Sequence, residues 1–266
     1  MPELPFILEP DEDGEDWHRL LVDGTIAGHP YRFVLDTGGV QTQVEADERM
    51  AALPVVASQT SSGTFAAHTT PVVTITDLTI GPLHAATLDV TMVDPIPGHL
   101  RAIIGMDVLQ RYRCHFRLAD GVVDIDPPLP TPADAADLRR SRRGHPYVDV
   151  RWPGGIVAHA CWDTGSAPTI VNRDFWLAHP ELFEEVGTEV TGTDATGAQA
   201  ETAVLMMAAP EIGQRKFSEH TVVTVDLTEA NSTTDLPMDM IIGYPTIRQA
   251  NWLFDFPAGK WQLTTP

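Results

Sequence analysis

Cysteine is scarce in this sequence, and its scarcity argues against two classes of protein. Cys114 and Cys161 are the only cysteines among 266 residues, which is too few for the disulfide framework of a small secreted domain. No cysteine or histidine spacing resembles a zinc site, so no metal is expected. The sequence favours two buried free thiols in a reducing compartment, although a single bridge between them is also compatible with it.

Basic residues and long apolar runs are also in short supply. The 17 lysines and arginines are outnumbered by 37 acidic residues, giving a formal net charge of −20, and such a surface repels nucleic acids and anionic membranes. The arginines within 139–143 are a local exception, which we interpret as a solvated stretch rather than a binding patch. No run approaches the ~20 apolar residues of a membrane span, and residues 1–16 are acidic where a signal peptide is basic. These features predict a cytoplasmic protein with no nucleic-acid or membrane partner.

The sequence does contain an internal repeat. Residues 33–40 (FVLDTGGV) reappear as residues 160–167 (ACWDTGSA), and residues 102–105 (AIIG) reappear as residues 240–243 (MIIG). The motifs keep the same order in both copies. We interpret this pattern as a tandem duplication.

The stretch between the two copies is rich in proline and arginine. Residues 127–132 read PPLPTP, and segments of this composition are stiff, extended and poor in core-forming side chains. The sequence therefore predicts an N-terminal lobe over residues 1–126, a linker over 127–144 and a C-terminal lobe over 145–266.

Each copy has the pattern of a mostly β protein with brief helices. Residues 18–35 predict two strands about a turn, and residues 72–80 and 86–93 alternate with the period of two that strands require. Short helices are expected after each Asp-Thr-Gly and after each Ile-Ile-Gly; the four segments are 45–52, 173–179, 106–112 and 245–250.

The two Asp-Thr-Gly motifs are the candidate catalytic elements. Each follows an apolar strand, whose rigid end would hold the carboxylate of Asp36 or Asp163 in place. The glycine lets the chain turn tightly and bring backbone N–H groups near the carboxylate. One such motif could be an ordinary strand turn, but two copies at matching places in a duplicated chain indicate a pair of cooperating carboxylates.

On these motifs the chain resembles aspartic proteases of the pepsin and retropepsin type. Residues 103–109 (IIGMDVL) look especially like the corresponding segment of retroviral and retrotransposon proteases. The resemblance implies a mostly β, bilobal fold with two similar closed, barrel-like lobes and a cleft between them. It also implies that Asp36 and Asp163 face each other at the cleft floor.

The resemblance further implies an aspartic endopeptidase that needs neither cofactor nor metal. Two carboxylates about 3 Å apart cannot both ionise, so they share one proton. The ionised member would activate a water for attack on the peptide bond, and the protonated member would donate to the carbonyl oxygen. Supporting roles fall to the rest of the two loops, namely Thr37, Gly38, Thr164, Gly165 and Ser166. The substrate would be a peptide or protein bound as an extended strand.

The two loops differ at one position, and this difference predicts an asymmetric pair. Ser166 can donate a hydrogen bond to its aspartate, whereas Gly39, in the equivalent place, cannot. We therefore expect Asp163 to be the better-stabilised carboxylate and Asp36 to hold the shared proton.

Two glycine-bearing segments are candidates for the hairpin flaps that this family closes over its substrate. The first contains Gly63 and Phe65, and the second contains Gly192 and Gly197. For each, an exposed turn with no contact to substrate is an equally good interpretation.

Two alternatives stay open on sequence alone. The chain could be a non-catalytic peptide-binding or interaction protein that keeps the fold, since fold does not establish activity. A monomer is expected because one chain supplies both aspartates, but each lobe could instead pair with a second chain in a dimer.

Overall fold

The structure is a computed structural model that describes residues 2–11, 14, 16–63, 67–128, 135–193 and 197–264. Strands dominate and the helices are one or two turns long, as the sequence predicts. The first half of the chain forms β1 (Glu3–Pro5), β2 (Ile7–Pro10), β3 (His18–Ile26), β4 (His29–Leu35), β5 (Gln43–Glu45), α1 (Glu48–Ala51), β6 (Val55–Ser62), β7 (Ala67–Ile80), β8 (Leu83–Val93), β9 (Ile103–Ile104), α2 (Met106–Leu109), β10 (Arg113–Arg117) and β11 (Val122–Ile125).

The second half repeats this order with a few additions. It forms β12 (Ala136–Asp137), β13 (Arg139–Arg140), β14 (Pro146–Arg151), β15 (Val157–Trp162), β16 (Ile170–Asn172), α3 (Arg173–Ala178), β17 (Phe183–Thr193), β18 (Gln199–Met207), β19 (Glu211–Ile212), β20 (Arg215–Lys216), β21 (His220–Val225), α4 (Thr228–Ser232), β22 (Met240–Ile242), α5 (Tyr244–Ile247), β23 (Asn251–Asp255) and β24 (Lys260–Thr264). Helices α1, α2, α3 and α5 lie within the four predicted segments or start one residue before them, and each is shorter than expected. Helix α4 was not predicted.

The internal repeat is also present in the sheet topology. The first lobe is a sheet of order β2-β3-β4-β9-β5-β8-β7-β6, and the second lobe has the equivalent order β13-β14-β15-β22-β16-β21-β18-β17, extended by β19 and β20 beside β14. In each lobe the strand that leads directly into the aspartate pairs in parallel with the Ile-Ile strand, as β4 does with β9 and β15 does with β22. The strand after the aspartate loop then runs antiparallel to that same Ile-Ile strand, as β5 with β9 and β16 with β22.

A third sheet joins the two lobes. Its order is β1-β11-β10-β23-β24-β12, so three strands from each copy meet at the antiparallel pair of β10 and β23. Aromatic rings pack behind this junction, with Phe116 4.7 Å and Phe254 4.5 Å from Trp162 between ring centroids. The lobes therefore share a buried core, which holds the two aspartate loops against each other.

The cysteines are buried, as the sequence predicts, and tryptophans also contribute to packing. Trp152, Trp162, Trp252 and Trp261 are buried, and Trp176 is partly buried against the same core. Both cysteines are free thiols in buried positions. Burial raises the pKa of the Cys114 thiol, so it stays protonated.

The segment predicted as a linker contributes to the fold in its described part. Residues 129–134 lie outside the described residues, but β12 adds to the shared sheet and β13 pairs with β14. Arg139 and Arg142 are exposed, as the interpretation of a solvated stretch expects, and each also forms an ion pair. Arg139 forms an ion pair with Asp149 at 3.2 Å, and Arg142 forms one with Asp235 at 3.5 Å.

Candidate active site

The two aspartates lie at equivalent ends of two equivalent strands. Asp36 follows β4, and its backbone N–H donates to the carbonyl of Ile104 at 3.0 Å. Asp163 follows β15 and makes the same bond to Ile242 at 3.1 Å. Each carboxylate is thus placed by a parallel strand pair rather than by a free loop, which fixes its position.

The two threonines lock the loops together across the lobe boundary. Thr37 Oγ1 donates to the Trp162 carbonyl at 2.8 Å and accepts from the Thr164 N–H at 3.1 Å. Thr164 Oγ1 donates to the Leu35 carbonyl at 2.5 Å and accepts from the Thr37 N–H at 3.2 Å. Both side chains are buried, so all four bonds are shielded from water.

Each loop glycine faces the carboxylate of the opposite lobe. A Cβ added at Gly38 would lie 2.3 Å from Asp163 Oδ2, and one added at Gly165 would lie 2.6 Å from Asp36 Cγ. No real Cβ tolerates such distances, so any larger residue would push the two carboxyl groups apart. The glycine of Asp-Thr-Gly is needed here because the partner aspartate occupies the space of a side chain.

The glycines of the two Ile-Ile-Gly motifs lie directly behind the two aspartate loops. A Cβ at Gly105 would lie 2.8 Å from the Gly39 carbonyl oxygen, and one at Gly243 would lie 2.0 Å from that of Pro168. The N–H of Gly105 donates to Thr42 Oγ1 and that of Gly243 donates to Thr169 Oγ1, both at 3.2 Å. These glycines allow the Ile-Ile strands to pass directly behind the aspartate loops.

Each carboxyl group adjoins the glycine of the other loop, and each affects the pKa of its partner. Burial raises the pKa of Asp36 well above its usual range, and the neighbouring Asp163 charge raises it further. Burial also raises the pKa of Asp163, but N–H groups of Gly165, Gly38 and Ser166 and the hydrogen bond from Asp36 oppose this rise. The N–H groups of Gly39 and Gly38 likewise oppose the rise at Asp36.

The expectation that the Ser166 side chain donates a hydrogen bond to Asp163 is wrong, and which aspartate holds the shared proton stays a prediction. Ser166 Oγ donates to the carbonyl of Pro168 at 2.7 Å and not to Asp163. Only the backbone N–H of Ser166 acts on Asp163. Two further backbone N–H groups donate to Asp163 Oδ1, that of Gly165 at 2.8 Å and that of Gly38 at 3.1 Å. Asp36 Oδ1 accepts a bond from Gly39 N at 2.6 Å.

A cavity of about 1170 Å³ opens above the aspartates, and both lobes line it. Two of the predicted flap glycines, Gly63 and Gly192, are among the lining residues. Gly197 is not, but it lies at the end of the same hairpin, where an added Cβ would be 2.4 Å from Ile96 of the other lobe. Phe65 lies outside the described residues. Both hairpins, β6–β7 and β17–β18, thus border the space over the aspartates.

Two lining residues had no signal in the sequence analysis. Trp17, from the N-terminal lobe, is buried in an apolar cluster of the C-terminal lobe. His145 hydrogen-bonds Ser141 Oγ at 3.0 Å, and burial lowers its pKa to about 4, so its imidazole is neutral. The sequence could have pointed to His145, at the boundary between the repeats, only if the β2–β3 and β13–β14 hairpins had been recognised as equivalent.

The described residues contain no group of three or more His, Cys, Asp or Glu side chains arranged to hold a metal ion. In the same described portion, no helix has the length and apolar character needed to cross a membrane.

Comparison with known proteins supports this description. Residues 22–111 match the family model described as "gag-polyprotein putative aspartyl protease", which covers Asp36 and the first Ile-Ile-Gly. The chain is thus similar to aspartic proteases of the retropepsin type, as the sequence predicts, and its fold is the mostly β, bilobal fold of that class. Comparison with curated proteins finds no match.

Solved structures share the fold of the whole chain. One of them is the crystal structure of conglutin gamma, described as a unique basic 7S globulin from lupine seeds. It superposes with a TM-score of 0.59 at 10% identity, covering 100% of this chain and 95% of that one. At this identity the likeness shows the fold alone.

Proposed function

We propose that the chain is an aspartic endopeptidase that hydrolyses peptide bonds with a water activated by Asp36 and Asp163. The observation that carries the proposal is the pair of aspartates that the hydrogen bonds between Thr37 and Thr164 bring together at a cavity lined by both lobes. Two carboxyl groups with raised and unequal pKa values are suited to act as acid and base in one step.

The geometry supports a division of labour between the two aspartates. Ionised Asp163 takes a proton from a water, whose oxygen attacks the carbonyl carbon of the scissile peptide. Protonated Asp36 gives its proton to the carbonyl oxygen, so a neutral tetrahedral diol forms and one proton remains on the pair. Transfer of a proton to the amide nitrogen then breaks the C–N bond and releases an amine and a carboxylic acid.

The cavity suits an extended peptide. The β6–β7 and β17–β18 hairpins border it on both sides, and strand edges there can hydrogen-bond a peptide backbone. One chain supplies both aspartates, and the Thr37–Thr164 bonds join its lobes internally, which favours a monomer over a dimer of chains. Free buried Cys114 and Cys161 favour a reducing compartment, and we propose the cytoplasm.

A non-catalytic peptide-binding protein is the second candidate function. It is favoured by the likeness in fold to conglutin gamma, which is described as a seed globulin. On this alternative the cleft would bind peptides but the dyad would have no role in turnover.

The test is cleavage of a diverse peptide library between pH 3 and pH 8, with products identified by mass spectrometry. The parent is compared with Asp36→Asn and with Asp89→Asn, an exposed aspartate that also lines the cavity. Cleavage by the parent and by Asp89→Asn, but not by Asp36→Asn, supports the endopeptidase. Peptide binding without cleavage by any of the three supports the alternative.

A further inference from the structure

The duplicated framework lets each cavity-lining position of one lobe be compared with its equivalent in the other. On β5, Gln43 stands opposite Thr91 of β8 and Ile103 of β9. On β16, Ile170 stands opposite Val223 of β21 and Ile241 of β22. The strand register therefore makes Gln43 equivalent to Ile170 and Thr91 equivalent to Val223.

The equivalent residues border the same cavity from opposite sides but differ in polarity. Gln43 and Thr91 are buried polar residues of the N-terminal lobe, and Gln43 Nε2 donates to the Arg101 carbonyl at 2.7 Å. Arg19 and His99 also line this side, together with apolar residues such as Val34, Leu88 and Ile103. Arg19 is already neutralised by an ion pair with Glu9.

The equivalent positions on the other side of the cavity are apolar, although hydroxyl residues such as Ser166, Thr202 and Thr233 also line that side. Ile170 and Val223 are buried there, and they share one apolar cluster with Trp17. Further lining residues of this cluster are Ala167, Val225, Ala230, Met238 and Ile241. Among the described lining residues between 161 and 241, Asp163 is the one with a charged side chain.

We infer that the two sides of the cleft select different side chains, so that the substrate is a peptide with an apolar residue on one side of the scissile bond and an uncharged hydrogen-bonding residue on the other. This inference rests on the proposed function for the position of the bond. An apolar side chain placed against Gln43 and Thr91 would remove water from polar groups without replacing its hydrogen bonds. A polar side chain placed against Ile170 and Val223 would lose its own hydrogen bonds to water, so each mismatch costs binding.

The experiment uses four pools of non-hydrolysable octapeptides, with a reduced-amide central bond and randomised flanks. The central pair is Leu-Leu, Leu-Gln, Gln-Leu or Gln-Gln, and capture by the immobilised parent protein is quantified by mass spectrometry. One of the two mixed pools should be enriched at least about tenfold over both uniform pools, the scale on which a single pocket discriminates between side chains.

Two reciprocal variants test which residues set the preference. The double substitution Gln43→Ile with Thr91→Val gives the N-terminal lobe the residues of the other side, and it should move the preference to Leu-Leu. Ile170→Gln with Val223→Thr should move it to Gln-Gln. Circular dichroism melts identify a variant that does not fold, and the other variant then decides.

Several outcomes overturn the inference. These are equal capture of all four pools, capture of none, a parent preference for either uniform pool, or a folded variant that keeps the parent's preference. The readout is binding, so it is separate from catalysis. Selective capture of a mixed pool together with no hydrolysis of the amide peptides would overturn the proposed endopeptidase and leave the selectivity in place.

Discussion

Gly38 donates its backbone N–H to Asp163 Oδ1 at 3.1 Å, and the absence of a side chain on Gly38 is what allows this approach. The same relationship holds in reverse, because an added Cβ on Gly165 would collide with the carboxyl group of Asp36. Each lobe therefore completes the environment of the other lobe's aspartate. The two copies of the repeat form one site and not two.

Replacing Gly38 by alanine should separate the two carboxyl groups. The ideal position of the new Cβ lies only 2.3 Å from Asp163 Oδ2, so the carboxyl group would have to move. Misplacement of a catalytic group by about 1 Å is enough to cost on the order of a hundredfold in rate. We expect kcat/KM to fall by at least about a hundredfold.

The matched control is Gly28→Ala, at a turn where nothing lies within 4 Å of the added Cβ but φ is +77°. It should lose about 1 kcal/mol of stability because alanine disfavours positive φ, and it should keep its activity. Full activity in Gly38→Ala would contradict the proposed arrangement of the dyad.

Thr37→Val should destabilise the joined loops while keeping the shape of the side chain. The change leaves the buried carbonyl of Trp162 and the buried N–H of Thr164 without their partner. Each buried group left unpaired costs about 1–3 kcal/mol, so urea unfolding should show a loss of about 2–6 kcal/mol for the two groups.

Thr60→Val is the control for the threonine prediction, because it removes a hydroxyl bond of 2.8 Å to Thr69 on an exposed hairpin. Its effect on unfolding should stay within about 0.5 kcal/mol. Equal losses of unfolding free energy in the two variants would contradict a stabilising role for the hydrogen bonds of Thr37 across the lobe boundary.

The dyad should make the protein less stable as pH rises. The pKa of Asp36 is raised in the folded state, so the folded protein holds this proton more tightly than the unfolded chain does. The resulting stabilisation is full below the unfolded pKa of about 4 and is lost as pH rises through the folded pKa.

Asp36→Asn removes this titration. Its stability relative to the parent should therefore increase as pH rises from about 4 to the folded pKa, by about 1.4 kcal/mol for each pH unit between the unfolded and folded pKa values. Urea unfolding at several pH values measures the difference, with Asp89→Asn as the control. A difference that does not change with pH would mean that the pKa of Asp36 is not raised.

His145 should remain neutral at pH values where an exposed histidine is charged. Burial lowers its pKa from 6.5 to about 4, with the nearby charge of Arg143 acting in the same direction. Because the unfolded chain takes up a proton first, this residue costs stability as pH falls from about 6.5 to about 4. NMR titration of the imidazole Cε1 proton measures the pKa directly, and a midpoint near 6.5 would contradict the buried position.

Much of the fold and of the candidate site could be predicted from the sequence, because the repeated residues are those that a substitution would disturb most. Asp36 and Asp163 identify the site, and Gly38, Gly165, Gly105 and Gly243 are retained where any Cβ would meet backbone or a carboxylate. Local periodicity was enough to predict the strand segments 72–80 and 86–93 of β7 and β8, since their alternation is set by burial on one face of a sheet.

The features that sequence reasoning missed depend on contacts between distant parts of the chain. The hydroxyl of Ser166 turns to its own neighbour Pro168, a choice of rotamer that no motif reveals. Trp17 lies in the C-terminal lobe's apolar cluster because its hairpin crosses the lobe boundary. The third sheet likewise pairs β10 with β23, and nothing in either strand's own pattern marks its partner.

The most direct test of the central claim compares four proteins on one cleaved peptide: the parent, Asp36→Asn, Asp163→Asn and the double variant. If the two carboxyl groups act as a single unit, each single variant should lose as much kcat/KM as the double variant, because groups that share one step are not additive. A single variant that retains substantial activity, or losses that simply multiply in the double variant, would contradict the shared site.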